Sequence, residues 1–169
     1  GYFTSPLIRW TAVFFMVLAG INFALHYVAW NKRKLTHYFK DSEVKAYLTI
    51  LFSAFVLTYL TLSFYGNGYE KVLLEESVFQ VVSIATTTGF LTSNYANWPL
   101  FVPILLLTTA FIGACAGSTC GGIKVIRALI LAKQSASEIT KLIHPNSVVT
   151  IKVNKKPLNP RVTESIWSF

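Results

Sequence analysis

The sequence predicts an all-α integral membrane protein, and three observations support this. Residues 10–30, 46–65 and 98–123 contain no Asp, Glu, Lys or Arg, and about 20 apolar residues are enough for a helix to cross the hydrocarbon core. Charged residues make up only 13% of the chain, about half of their share in soluble domains. The basic residues are also clustered near the ends of the uncharged runs.

The net charge of +8 is concentrated in two segments. All of the 15 Lys and Arg residues except Arg9 and Lys71 lie within residues 31–45 and 124–161. Loops rich in Lys and Arg stay on the cytoplasmic side, so we expect these two loops to be cytoplasmic and residues 66–97 to lie outside. This placement favours a membrane protein over one that binds nucleic acid.

The segment after the second uncharged run predicts a re-entrant element. The run at 46–65 reads as a crossing helix, and residues 70–84 read as a helix too short to span. The next apolar run begins on the same outer side, at residue 98. The chain between the two runs must therefore enter the membrane and return.

The inner tip of this element carries "ATTTGF", residues 85–90, with the candidate residues Thr86, Thr87, Thr88 and Gly89. Non-helical backbone at membrane depth persists where it is buried in protein or lines a water-filled cavity. Threonine supplies oxygens without charge, and glycine permits a backbone geometry that a side chain blocks. We predict a cation filter here, built from oxygens as in potassium channels; the alternative is an ordinary polar turn.

Residues 98–134 are too long for one straight span, and their middle is rich in glycine. Glycine in a helix costs about 1 kcal/mol relative to alanine, so we predict a broken helix whose irregular stretch can block or open an ion path. The alternative is close helix packing through small residues. The stretch comprises Gly113, Ala114, Cys115, Ala116, Gly117, Ser118, Thr119, Cys120, Gly121 and Gly122.

Two basic residues, Lys124 and Arg127, follow the glycine-rich stretch directly. We expect them at the inner mouth of the path, where they would meet water or a partner. The alternative role is anchoring at the interface, with the charged ends reaching into water.

The first run, residues 6–30, is predicted to be a single crossing. Asn22 and His26 lie four positions apart and share one helix face, which favours an interhelical hydrogen bond over a role in the transport path. The start of this run also recurs later in the chain: Pro6, Leu7 and Gly20 reappear, at the same spacing, as Pro99, Leu100 and Gly113.

These segments predict one complete repeat inside a longer protein. Residues 1–30 are read as the last helix of a preceding repeat, 46–134 as the complete repeat, 135–160 as a cytoplasmic linker and 161–169 as the start of the next helix. In the linker, the alternation at Val149, Ile151 and Val153 predicts a short strand or hairpin with "NKKP" as its turn.

An enzyme is the alternative from another functional class. No pair of Asp, Glu or His suits acid–base work within the apolar runs, and no metal-ligand spacing is evident. Cys115 and Cys120 read as small apolar residues. We expect neither enzymatic activity nor a bound cofactor.

Four stretches, "FQVVSIATTTGF", "WPLF", "FIGACAGSTCGGIKVIRALILAKQ" and "HPNSV", resemble the TrkH family of bacterial potassium uptake subunits. The resemblance covers nearly the whole chain. It implies four helix–pore loop–helix repeats in one chain around a single potassium-channel-like pore, of which this chain holds roughly the third. It also implies that residues 86–89 form the filter for K⁺, the transported ion, and that residues 113–122 form the intramembrane gate.

The resemblance further implies the setting of the protein. Family members lie in the bacterial inner membrane as homodimers and assemble with TrkA, a cytosolic nucleotide-binding regulatory subunit. The alternatives are a Ktr-type or sodium-permeable relative and a non-conducting membrane anchor. The "HPNSV" linker favours the Trk type.

Overall fold

The computed structural model describes residues 5–65, 70–144, 152–154 and 156–157. They form helices and one short hairpin, with α5 packed against α1, α4 and α6, and α4 also packed against α7. The elements are α1 (Pro6–Ala19), α2 (Phe23–Lys32), α3 (Thr36–Lys40), α4 (Ser42–Tyr65), α5 (Glu70–Ala85), a 3₁₀ turn (Tyr95–Asn97), α6 (Phe101–Ile112), α7 (Val125–Ile143), β1 (Lys152–Val153) and β2 (Lys156–Pro157).

Among the described helices, α4 alone is long and apolar enough to cross a membrane unbroken. It begins at Ser42 rather than at residue 46, because Asp41 Oδ1 accepts the N–H groups of Glu43 and Val44 at 2.8 and 3.2 Å and so caps its first turn. The buried positions recur every three or four residues and form one stripe toward the core. They are Glu43, Val44, Tyr47, Leu51, Ala54, Thr58 and Leu62.

The short helix α5 lies among its neighbours, as a re-entrant helix requires. Its side chains at Phe79, Gln80 and Val81 are fully buried. An ion pair between Arg9 and Glu75, with 3.3 Å between Nη1 and Oε2, joins α5 to α1. The helix therefore holds the residues that follow it at a fixed place inside the bundle.

The first run is not one straight helix, so the prediction of a single crossing helix over residues 6–30 is wrong. Its two halves, α1 and α2, meet at an angle of 95° across residues 20–22, which we call the short break. Asn22 does not share a helix face with His26, because it caps α2 and its Oδ1 accepts the N–H of Ala24 at 2.8 Å. His26 does join separate helices, at 2.8 Å from Tyr38 Oη and 3.0 Å from the carbonyl oxygen of Leu18.

The last long run is broken between α6 and α7 by residues 113–124, which we call the long break. The second half reaches Ile143 rather than ending at residue 134, so the first part of the predicted linker is helical. Most of this added segment is exposed, and in it Lys141 and Glu138 form an ion pair at 3.0 Å. Polar composition alone made this segment resemble a loop.

The predicted hairpin in the linker is present in part, as the antiparallel pair of β1 and β2. Asn154 lies in its turn with a φ of 49°. The predicted strand positions Val149 and Ile151, and the predicted helix start at 161–169, lie outside the described residues.

Candidate functional site

The filter stretch, residues 86–89, leaves the end of α5 with its N–H groups turned back toward that helix. The N–H of Thr86 donates to Val82 at 2.9 Å, and those of Thr88 and Gly89 donate to Ser83 at 2.9 and 3.3 Å. The backbone donors of the stretch are thus satisfied inside the chain.

The carbonyl groups of the filter stretch differ from its N–H groups in their hydrogen bonding. Two residues adopt positive φ, Thr87 at 54° and Gly89 at 81°, a region that favours glycine over residues with a side chain. Within the part of the chain that the structure describes, no hydrogen bond ends on the carbonyl oxygens of residues 86–89. The stretch therefore offers a run of unpaired backbone oxygens, the ligand type that strips water from an alkali cation.

Three polar side chains of α5, which were not among the predicted site residues, are buried next to the filter stretch and the residues after it. Ser83 Oγ donates to the carbonyl of Phe90 at 2.7 Å, and Gln80 Nε2 donates to the carbonyl of Ser93 at 2.6 Å. Together with Ser77, they are fully buried and recur every third residue of the helix. That polar stripe in the otherwise apolar second half of the helix was the signal that could have identified Gln80 and Ser83 as supports of the residues that follow the filter stretch.

The long break folds into a loop closed at its base. The N–H of Ile123 donates to Phe111 at 2.9 Å, and that of Val125 donates to Ala114 at 3.0 Å. Gly113 has a φ of 72°, and a Cβ there would lie 2.3 Å from the carbonyl oxygen of Gly121. A side chain cannot fit at this base, which explains why glycine stands there.

The long break contacts both the short break and the filter stretch. The N–H of Cys115 donates to Gly20 at 3.0 Å, and the N–H of Phe23 donates to Gly117 at 3.1 Å. The N–H of Gly121 donates to Thr87 Oγ1 at 2.8 Å. The predicted filter stretch and the glycine-rich stretch are thus adjacent in space.

The two basic residues after the long break have different surroundings. Lys124 has a φ of 79° and its Nζ donates to the carbonyl of Cys120, so its charge lies on the break itself. Arg127 is half-buried on the first turn of α7. Neither placement was evident from the sequence.

No cluster of His, Cys, Asp and Glu that could hold a metal ion occurs among the described residues. Cys115 and Cys120 are free and buried, at 0% and 7% exposure.

Known proteins are similar to this chain over its whole length. The TrkH family model, described as a cation transport protein, matches residues 1–169. Three relatives are the Trk system potassium uptake proteins TrkH of Escherichia coli K12 at 44% identity, TrkH of Vibrio parahaemolyticus at 42% and TrkG of E. coli K12 at 36%. Each match covers all of this chain and 35%, 36% and 35% of the relative, respectively.

The crystal structure of the potassium transporter TrkH from V. parahaemolyticus is similar with a TM-score of 0.94 at 42% identity, over 99% of this chain and 36% of that one. The chain thus spans about a third of the curated relatives that it matches. This similarity confirms the predicted all-α membrane fold with a helix–pore loop–helix unit. Because the family model matches the whole chain, this chain belongs to the TrkH family of cation transport proteins.

Proposed function

We propose that this chain is part of the membrane subunit of a Trk-type potassium uptake system. In this proposal K⁺ passes the filter stretch, whose backbone oxygens replace part of its hydration shell, and the long break gates the path below. The observation that carries the proposal is the run of carbonyl oxygens at residues 86–89 that accept no hydrogen bond within the described residues. The names of the relatives, which are potassium uptake proteins, agree with it.

The contact between Thr87 Oγ1 and the N–H of Gly121 supports a gate at the long break. A loop that lies against the filter stretch is positioned to obstruct ions leaving it. The break also carries its own positive charge at Lys124, which lies on the loop backbone and adds an electrostatic barrier to a cation. The basic residues Lys124 and Arg127 are proposed to lie at the inner mouth of the path.

One filter stretch cannot surround an ion, so we propose that the remaining repeats of the full-length protein complete the filter. The proposed setting is the bacterial inner membrane, with residues 31–45 and 124–161 cytoplasmic and 66–97 outside. The proposed partners are a second copy of the subunit and a TrkA-type regulatory subunit. The protein needs no bound cofactor and is not an enzyme in this proposal.

The test is ion flux through the full-length protein in liposomes, with rubidium and sodium as the measured ions. Gly89→Ser and Gly89→Ala both place a side chain where φ is 81° and nothing lies within 4 Å of the new Cβ. Any effect then arises from backbone geometry rather than from a clash inside this chain. Ala96→Ser, at an exposed position of the same re-entrant element, is the matched control.

We expect selective rubidium flux in the unmodified protein and in Ala96→Ser, and lost or sodium-permeable flux in both Gly89 variants. Equal rubidium and sodium flux in the unmodified protein would identify a sodium-permeable relative. If the unmodified protein shows no flux, or if the Gly89 variants leave the flux unchanged, the proposed filter is contradicted and an anchoring role remains.

A further inference from the structure

Glu43 is a buried acidic side chain that belongs to neither the filter stretch nor the long break. It lies in the first turn of α4 and is 8% exposed. Its Oε1 accepts the N–H of Ala116 at 2.5 Å, across 73 residues of the chain. A buried carboxyl group is retained only where donors compensate for its lost hydration.

The Glu43 carboxyl lies between the long break and the start of α7. Its donor Ala116 belongs to the first half of the break, and the backbone of Ile126, in the first turn of α7, lies near the same carboxyl. Helix α7 has no side-chain cap of its own, since Lys124 stands at its N-cap without a capping hydrogen bond. One side chain of α4 thus holds the loop and lies beside the start of the helix that follows it.

The same turn of α4 is held from its other side by the hairpin. Asn154 Oδ1 accepts from the N–H and the Oγ of Ser42 at 2.8 and 2.7 Å, and its Nδ2 donates to Asp41 Oδ2 at 2.9 Å. The hairpin is also tied to α7, because Lys133 Nζ donates to the carbonyl of Lys152 at 2.8 Å. Residues 41–43 therefore lie between the hairpin turn and the long break.

We propose that the first turn of α4 couples the hairpin to the long break, with Glu43 as the positioning residue that holds the break in place. Asn154 fixes the start of α4, and the start of α4 aims the Glu43 carboxyl at Ala116. When Asn154 loses its hydrogen bonds to Ser42 and Asp41, the hydrogen bond between Glu43 and Ala116 weakens and the long break becomes more mobile. The inference rests on the proposed function only where it treats the break as a gate.

The chain carries its own reporters of the state of the break, Cys115 and Cys120, which are free and buried. We would add a small charged methanethiosulfonate reagent to the full-length protein in liposomes and follow labelling of these two cysteines by peptide mass spectrometry. The labelling rate reports how often the break opens and requires no ion flux. The thermal unfolding midpoint of each variant separates local loosening from general loss of the fold.

Glu43→Leu keeps the apolar volume and removes the acceptor for Ala116. We expect labelling of both cysteines to rise roughly tenfold, the factor that corresponds to about 1.4 kcal/mol. Glu43→Gln, which keeps an oxygen at the same reach, restores most of the protection and serves where the leucine variant does not fold. Glu138→Leu removes an exposed carboxyl of α7 and is expected to label at the unmodified rate.

Asn154→Ala tests the coupling, with Asn31→Ala, at an exposed position of α2, as its control. We expect roughly a threefold rise for Asn154→Ala and none for the control, since residues in one network give coupled effects. In the double variant Glu43→Leu/Asn154→Ala the rate should equal that of Glu43→Leu alone. If the rate increases of the two single variants multiply in the double variant, the coupling is overturned. If Glu43→Leu labels at the unmodified rate, the positioning role is overturned.

Rubidium flux in the same variants separates this inference from the proposed function. Faster labelling together with altered flux supports both. Faster labelling with unaltered flux supports Glu43 as the positioning residue and counts against the break as a gate.

Discussion

The short break and the long break interrupt two spans that begin alike, yet they are built differently. In the short break the N–H groups of Gly20 and Ile21 donate back to α1, at 3.1 and 3.0 Å, and Asn22 caps the next helix. The φ of Gly20 is −76°, an ordinary helical value. The N–H groups of Gly20 and Ile21 are therefore satisfied within their own segment of the chain.

The long break depends on its neighbours instead. Gly113, Gly117 and Gly122 all adopt positive φ, and the loop is held by contacts from Gly20, Thr87 and Glu43. A segment held by contacts that can be released one at a time is expected to move more readily than a self-capped corner. The difference predicts that the short break is the more rigid of the two.

The largest expected effect is at the base of the long break. Gly113→Ala places a Cβ 2.3 Å from a backbone oxygen at a φ of 72°, so the backbone itself must shift. We expect a loss above about 3 kcal/mol, which exceeds most single substitutions, and a clearly lower thermal unfolding midpoint of the full-length protein in detergent. Gly121→Ala is the control, because its Cβ would meet Thr87 Oγ1 at an ordinary 3.6 Å; equal midpoints for the two variants would contradict this account.

The corresponding substitution in the short break should cost less. A Cβ at Gly20 would lie 2.2 Å from Tyr47 Oη, but the backbone accommodates alanine and the clash is with a side chain. We expect Gly20→Ala to cost about 1–3 kcal/mol, as overpacking does, measured by the same midpoint. In a Tyr47→Leu background, where the clashing side chain is shorter, Gly20→Ala should cost less than in the unmodified protein; an equal cost in both backgrounds would show that the strain lies elsewhere.

A smaller effect is expected from the N-cap of α2, Asn22, in the short break. Asn22→Ala removes the acceptor for the N–H of Ala24 and should cost about 1 kcal/mol, the usual value of an N-cap. Asn94→Ala removes the same type of contact, at 3.2 Å to Ala96, from an exposed turn outside both breaks, and should cost less. If the two variants unfold at the same temperature, the short break does not depend on its cap.

The smallest effect on stability is expected at the link between the filter stretch and the long break. Thr87→Val keeps the shape of the side chain and removes the acceptor for Gly121, which is worth about 0.5 kcal/mol, the low end of the usual range, because the contact is exposed. The thermal midpoint should change little, while methanethiosulfonate labelling of the neighbouring Cys120 should rise. In Thr87→Ser, which keeps the hydroxyl, Cys120 should be labelled at the unmodified rate. Equal labelling of Cys120 in the two variants would show that this hydrogen bond does not hold the long break.

The sequence predicted the elements whose cause is local. The helix predicted at 70–84 corresponds to α5, and the glycine-rich middle of the last run corresponds to the long break. The short break was missed because it contains only one glycine, although Asn22 after Gly20 is a helix-start signal. The length of α7 was underestimated because its second half is rich in polar residues.

The roles of the site residues could be predicted only in part. Threonines and a glycine between two apolar runs indicate a filter stretch, and that interpretation remains a prediction for flux measurements. The roles of Gln80 and Ser83 were overlooked because the sequence does not reveal which carbonyl groups these two polar side chains contact. Lys124 was placed by its charge, which does not reveal the carbonyl that its ammonium contacts.

By itself, the sequence determined the long apolar helix α4 and the break in the last run, because apolar runs and the conformational freedom of glycine act over neighbouring residues. Only the tertiary structure decided what holds the long break. Its anchors at Glu43 and Thr87 lie 73 and 34 residues away along the chain. Buried N–H groups must find an acceptor, but when that acceptor is on another helix, packing alone selects it.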